Sequence, residues 1–484
     1  MSTTEILDAD DSATPPESAS ERSAPGRGWQ ALALRLHFYA GVFVAPFILI
    51  AAVTGALYAI SPTLEDITSR ELLKVEPQGA PRSLAEQVNA AVATRPELAL
   101  VAVSPAPGAD DTTRVLFNDP ALGESERRAV FVDPYTARPV GDSVVYGSSG
   151  ALPMRTWIDQ LHRSLHLGEP GRLYAELAAS WLWIIALAGL ALWVRRVRVR
   201  RGRNSAAWLL APDRSRTGRA RSMNWHGALG IWALPLLLVL SATGMTWSTY
   251  AGANVTELRE QLSWVTPSVN TELPGSSAAA PASGGDHHHG GHAAPQPENP
   301  RQRIAELDTV YDVARANGIT QGAEISVPSR AGQAFTVKER RMPGTYTVDA
   351  VAVDGASGTV TDRLPYADWP LMAKLSNWGI AFHMGLLFGL PNQLLLFAGM
   401  LGLIAVLGYG YRMWWQRRPT RGSAFALGRA PRGGTLRGAS PWLSVPLILA
   451  AVVVGWFAPL VGISLIAFLI LDLTLGVVQR ARTS

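Results

Sequence analysis

The chain has 484 residues, 48% of them hydrophobic and only 17% charged, with 16 Trp and no Cys. Soluble domains carry about 25% charged residues, and the mean hydropathy here is above zero, so an ordinary soluble enzyme is excluded. Without thiols there is no disulfide, no thiolate-held iron–sulfur cluster and no covalent haem link through C-x-x-C-H. Any metal or haem must be held by His or oxygen ligands.

Residues 1–28, acidic and rich in Ser and Pro, read as a disordered tail without a signal peptide. Residues 36–60 are nearly all apolar and long enough to cross a bilayer, giving a first span within 29–60. The insert at 61–160 combines a helical stretch (84–94), an alternating run (114–118) and a hairpin signal, VFVDPYTARPVGD at 130–142, which together predict a small α+β module. A His-bearing segment and second span occupy 161–194, followed by a loop at 195–222 in which residues 195–221 hold ten Arg and one Asp. A third span lies in 223–250.

The insert at 251–372 repeats the module (304–317, 335–340 and VAVDGASGTVTD at 351–362) around a low-complexity His-rich linker at 272–300. A second His-bearing segment and fourth span fill 373–415, a loop 416–441, and a hairpin of apolar segments 442–478, broken at Pro459. Residues 412–437 carry seven more Arg. Short basic loops stay in the cytoplasm, so about six spans, both termini inside and both inserts outside satisfy the pattern. The fold class expected is an α-helical membrane protein: a duplicated two-span unit, a C-terminal hairpin and two small extracytoplasmic α+β inserts.

The duplication is visible residue by residue. With His37 aligned to His226, Gly41 meets Gly230, Pro46 meets Pro235, Thr54-Gly55 meets Thr243-Gly244 and Tyr58 meets Trp247. With His162 aligned to His383, Trp157 meets Trp378, Gly168 meets Gly389, Pro170 meets Pro391, Gly189 meets Gly410 and Trp193 meets Trp414.

Five of the nine His fall at the span ends that the repeat equates. His37 and His226 open the first and third spans on the cytoplasmic side, while His162 and His383 precede the second and fourth on the outer side. Ionisable groups at membrane depth are costly and usually serve a site. Two repeat-related pairs are what two bis-imidazole haem sites require, one neutral imidazole on each face of each ring. Gly41 and Gly230, one turn after their His, leave room for a flat ring. The plainer reading makes each His an interfacial or capping residue, matched by inheritance alone. His166, one helical turn past His162 and equated with Leu387, is either a rival ligand or a tuning neighbour. The linker cluster His287, His288, His289 and His292 is a weak candidate for Cu, Zn or Fe. Glu176 is the one other strongly ionisable side chain in the four spans, and Asp472 in the last segment has no assigned role. No P-loop, dinucleotide fingerprint or nucleophile-and-base arrangement is evident, so no flavin or nicotinamide domain is expected and electrons would have to come from a separate cytoplasmic donor; so hydrophobic a chain is expected to have no nucleic-acid partner. The Arg-rich loops read as topology and lipid contacts.

The runs RLHFYAGVFVAPFILIAAVTGALY (35–58), LHRSLHLGEPGR (161–172), NWHGALGIWALPLLLVLSATGM (224–245) and FHMGLLFGLPNQ (382–393) resemble the PepSY-associated transmembrane family, also labelled iron-regulated membrane proteins, over roughly residues 30–418. VDPYTARPVG (132–141) looks like the end of a PepSY module. The resemblance implies a ferrisiderophore reductase of the bacterial inner membrane, with b-type haem on the membrane His and an Fe(III) chelate as substrate. Two other readings stay open: a non-redox PepSY protein that binds peptides or regulates a surface protease, and a copper- or iron-handling protein that uses the linker His.

Overall fold

Pro46 interrupts the first apolar block. In the computed structural model, helix α1 (Arg27–Phe43) ends and α2 (Ala45–Thr68) begins on either side of Val44. Proline has no N–H for the carbonyl four residues back, and that carbonyl, Val42 O, instead accepts the Tyr411 hydroxyl at 3.1 Å. Pro62 frees Tyr58 O in the same way, and the Ser61 hydroxyl donates to it at 2.7 Å. The expected single span at 36–60 is therefore two helices, with the membrane-length one running on to Thr68 and followed by the short α3 (Arg70–Leu73). Residues 27–200, 210–212, 214–274, 299–320, 322–417 and 441–481 are described. The N-terminal tail to residue 26, most of the linker with its four His, and parts of the Arg-rich loops lie outside them.

Four described helices are long and apolar enough to cross a membrane: α2, α6 (Glu169–Arg200), α7 (Gly218–Met245) and α11 (Leu390–Trp415). They pack in the cyclic order α2, α11, α7, α6, around Ile48, Ala52, Ala178, Leu237, Met400 and Leu403. The chain is thus a multi-pass membrane protein. The hairpin expected at 442–478 is a pair of apolar helices, α12 (Pro441–Phe457) and α13 (Pro459–Ala481), parted by Ala458 alone. Trp181 Nε1 donates to Ser464 Oγ at 2.9 Å and fixes α13 against α6. Two short helices stand at one end of the bundle, α5 (Pro153–Ser164) beside α2 and α10 (Leu371–His383) beside α7.

The inserts form one sheet, not two separate modules. Strands β1 (Ala99–Ser104), β2 (Thr113–Asn118), β3 (Glu126–Val132) and β4 (Pro139–Tyr146) make a meander in the first insert. Strands β5 (Ala323–Ser326), β6 (Phe335–Glu339), β7 (Ala350–Asp354) and β8 (Thr359–Leu364) make another in the second. They join through antiparallel β1–β5, Ala102 opposite Ser326 and Val103 opposite Ile325, in the order β4-β3-β2-β1-β5-β6-β7-β8. Joining the first strand of each meander covers two edges that would otherwise be unpaired. Helices α4 (Leu84–Thr94) and α9 (Pro300–Ala316) pack on one face over Val115, Phe117, Val130, Phe335 and Val353. The Asp308 carboxylate of the second insert accepts the amides of Leu84 and Ala85 at 2.6 and 3.1 Å, capping the helix of the first. The other face of the sheet looks toward the bundle.

Glu176, the acid singled out within the second apolar block, is a cap. It is 1% exposed, and its two oxygens accept the amides of Tyr250 and Ala251, both at 2.9 Å, at the start of α8 (Tyr250–Gln261). Glu176→Ala leaves two amides without an acceptor and should cost roughly 2–4 kcal/mol, seen as a lowered thermal midpoint of the detergent-solubilised protein. Glu176→Gln, which keeps one acceptor oxygen, should recover part of that loss.

Candidate functional site

The bundle brings the four repeat-related His together two by two. His37 on α1 and His226 on α7 have ring centres 5.9 Å apart at 75°. His162 on α5 and His383 on α10 have theirs 6.4 Å apart at 45°. A metal bound by two facing imidazoles at about 2 Å per bond sets the ring centres roughly 6 Å apart. The two levels are separated by ten residues on α6 (Ala179 to Gly189) and on α11 (Met400 to Gly410), and by eighteen on α7 (His226 to Gly244). At 1.5 Å per residue that is roughly 15–27 Å along the bundle.

Every one of the four rings is tied back through Nδ1. His37 Nδ1–H donates to Ile185 O at 2.9 Å and His226 Nδ1–H to Val406 O at 2.9 Å. His162 Nδ1 lies 2.9 Å from Thr54 Oγ1 and His383 Nδ1 2.7 Å from Thr243 Oγ1. Both hydroxyls already donate within their own helices, Thr54 to Ile50 O and Thr243 to Val239 O, each at 2.8 Å. With each hydroxyl proton on its own helix carbonyl, the threonine oxygen accepts and the imidazole carries its proton on Nδ1. All four Nε2 lone pairs are left to bind a metal, with no protein hydrogen-bond partner among the described residues. A hydrogen bond at the second ring nitrogen fixes tautomer and orientation and raises ligand basicity. Thr54→Val or Thr243→Val should weaken metal-site affinity about 10–100-fold, measured as cofactor retained through purification.

Glycines set the rings' approach to the helices. A Cβ on Gly55 would stand 3.1 Å from His162 Cε1, and one on Gly189 3.0 Å from His37 Cε1; Gly244 and Gly410 give 3.6 Å to His383 and His226. Gly41 and Gly230, chosen from the sequence, border space in which an added Cβ meets no protein atom within 4 Å. Tyr58 stacks on His162 at 6.1 Å and 11°, and Trp247, its counterpart, meets His383 edge-on at 5.3 Å.

The His162–His383 pair opens into a cavity of about 1740 Å³ between the bundle and the underside of the sheet. Its floor is apolar (Ile48, Ala52, Leu240, Met400, Leu403) and its roof includes Arg114, Lys338 and Arg340. Ligand cavities commonly measure about 300–1,000 Å³, so this one admits a large ligand. Among the described residues no group of three or more His, Cys, Asp or Glu is placed to hold a bare metal ion. A metal between two imidazoles needs further donors, and a porphyrin brings four nitrogens of its own. Paired neutral imidazoles, glycine-lined approaches and an apolar floor fit haem.

Residues 34–417 match the family model described as the PepSY-associated TM region. The chain belongs to that family. "Uncharacterized protein PA4219" of Pseudomonas aeruginosa is 37% identical over 94 residues, which is 19% of this chain and 21% of that protein.

In this PepSY-associated protein His166 does not join its neighbour. α5 stops at Ser164, and Leu165 and His166 both take left-handed φ, 52° and 56°. His166 is thereby turned out of the helical register that would have set it one turn past His162. It is exposed and lies against Trp157, with ring centres 5.0 Å apart, and it does not line the cavity. The cluster at residues 287–292 lies outside the described residues. Thr54, Thr243, Gly189 and Gly410 stood in the repeat register but had no role in the sequence reading; a hydroxyl equated across both halves on the same helix as a close-packing glycine was the available signal.

Proposed function

We propose that this chain is a haem b protein of the bacterial cytoplasmic membrane. It passes electrons from a cytoplasmic donor to an Fe(III) chelate on the outer side, a ferric-siderophore reductase releasing Fe(II) for uptake. The observation that carries this reading is the pairing of His37 with His226 and His162 with His383, each about one metal-bridged spacing apart and each presenting Nε2. A metal transporter would want acidic or thiol groups along its spans. Here the chain has no Cys, Glu176 is engaged as a cap, and Glu65, near the end of α2, accepts Leu152 N–H and pairs with Arg155.

Haem, bound at the two levels, supplies one-electron redox capacity inside an insulating layer. The chain's own work is to hold each Nδ1 proton on a fixed acceptor, keep the rings oriented and exclude water with the apolar floor. One electron per turnover converts Fe(III) to Fe(II) in the chelate, and oxygen-rich ligands hold the softer Fe(II) far less tightly. Basic loops at 195–222 and 416–441 favour the orientation that puts the His37–His226 level on the cytoplasmic side. Purified protein is expected to show the low-spin absorption of bis-imidazole haem, in reduced and oxidised forms. A correctly folded, colourless preparation, also unable to take up added haem, would remove the proposal.

A further inference from the structure

Two guanidinium groups converge under the sheet, one from each insert. Arg114 leaves β2 and Arg340 follows β6, and both meet at Gly150. A Cβ built there would lie 3.2 Å from Arg114 Nη1 and 3.7 Å from Arg340 Nη2. Arg114 donates to Gly150 O at 3.2 Å and lies over the Phe131 ring; Arg340 has no side-chain hydrogen bond among the described residues. The acids whose charge reaches them are mostly engaged elsewhere. Glu65 accepts Leu152 N–H at 2.6 Å and sits 3.7 Å from Arg155. Asp111 pairs with Lys74 at 2.8 Å, and Glu324 with Lys338 at 3.7 Å. No carboxylate lies within ion-pair distance of Arg114 or Arg340 among the described residues. Burial, and after it the charge of Arg340, pushes Arg114 down to about 9, so it is still cationic at neutral pH. Two like charges held together over a cavity, with no counter-charge of their own, are a binding site for an anion. The arrangement exists only because β1–β5 pairing joins the two inserts.

We propose that Arg114 and Arg340 form a carboxylate-binding site in the roof of the outer cavity, above the His162–His383 pair. The site deepens the reductase reading and rests on it for what the carboxylate belongs to: a carboxylate-bearing Fe(III) chelate arriving from outside, or the propionates of haem on the outer pair. Arginine is suited to either because its planar fork meets a carboxylate through two parallel N–H bonds.

The test uses the full chain in detergent, with gallium(III) citrate as a redox-inert probe in titration calorimetry and with haem content read in parallel. If the chelate is the occupant, wild-type protein binds the probe. Arg340→Gln and Arg114→Gln then weaken binding at least tenfold with haem content unchanged, and added salt weakens it too. If propionate is the occupant, the probe does not bind, and the same variants lose haem or shift the redox midpoint of the outer pair. Arg340→Gln is the variant that spares folding, since it removes no protein hydrogen bond among the described residues; Arg114→Lys and Arg340→Lys keep the charge but lose the two-pronged fork, and should restore only part of the function that Gln removes. Variants indistinguishable from wild type in probe binding, haem content and midpoint overturn the site. A colourless protein that also fails to take up added haem ends the reductase reading yet leaves the calorimetry valid, because gallium binding needs no electron.

Discussion

Alanine at His383 is expected to remove about half of the haem absorbance, with the loss confined to one of two redox components. The reason is local. His383 supplies the one Nε2 facing His162 from α10, and its Nδ1–H is the partner of Thr243, so nothing nearby can take its place; Trp247, which touches it edge-on, offers no lone pair for a metal. His37→Ala should remove the other component, because His226 would then face no second imidazole. His37→Ala combined with His383→Ala should leave a nearly colourless protein that still elutes as a folded species. His166→Ala should change neither component, since that ring lies exposed against Trp157. The measurement is haem per polypeptide together with the reduced-minus-oxidised spectrum of each variant. Full haem content in every single His variant would mean that the pairs are packing features of a binding scaffold.

The membrane helices and the His pairing were legible because each depends on one-dimensional signals. A span is a run of apolar residues as long as a bilayer is thick, and the repeat register places His37 with His226 and His162 with His383 without any structure. Features that depend on three-dimensional closure were not legible. Pro46 was noted as a repeat position, but that its freed carbonyl would find Tyr411 requires knowing that α11 passes beside α1. The fusion of the inserts rests on two residue pairs between β1 and β5, far apart in sequence, and nothing in either strand marks which edge it pairs on. His166 was misplaced because a helix was extended two residues past its end at Ser164; of the two residues that then take positive φ, His is a type enriched there but Leu is not, so the stop at Leu165 carried no local signal. Glu176 was recognised as unusual, yet its partners, the first amides of α8, lie 74 and 75 residues further on.

The second large effect expected comes from filling the glycine positions. Valine at Gly189 puts a branched side chain where a Cβ alone already stands 3.0 Å from His37 Cε1. The imidazole must swing away and lose its bond to Ile185 O. Haem on the inner pair should fall to a small fraction of wild type, with the outer component intact. Gly55→Val should do the reverse, since its Cβ stands 3.1 Å from His162 Cε1. Gly41→Leu separates protein packing from cofactor packing. Beyond its own stretch of helix, nothing lies within 4 Å of a Cβ built there, so haem-free protein should keep its thermal midpoint. If a flat ring occupies that space, the leucine competes with it directly and occupancy at the inner pair drops. Unchanged occupancy in Gly41→Leu would turn that glycine toward lipid or another helix, and leave Gly189 and Gly410 as the positions that make room for the imidazoles themselves.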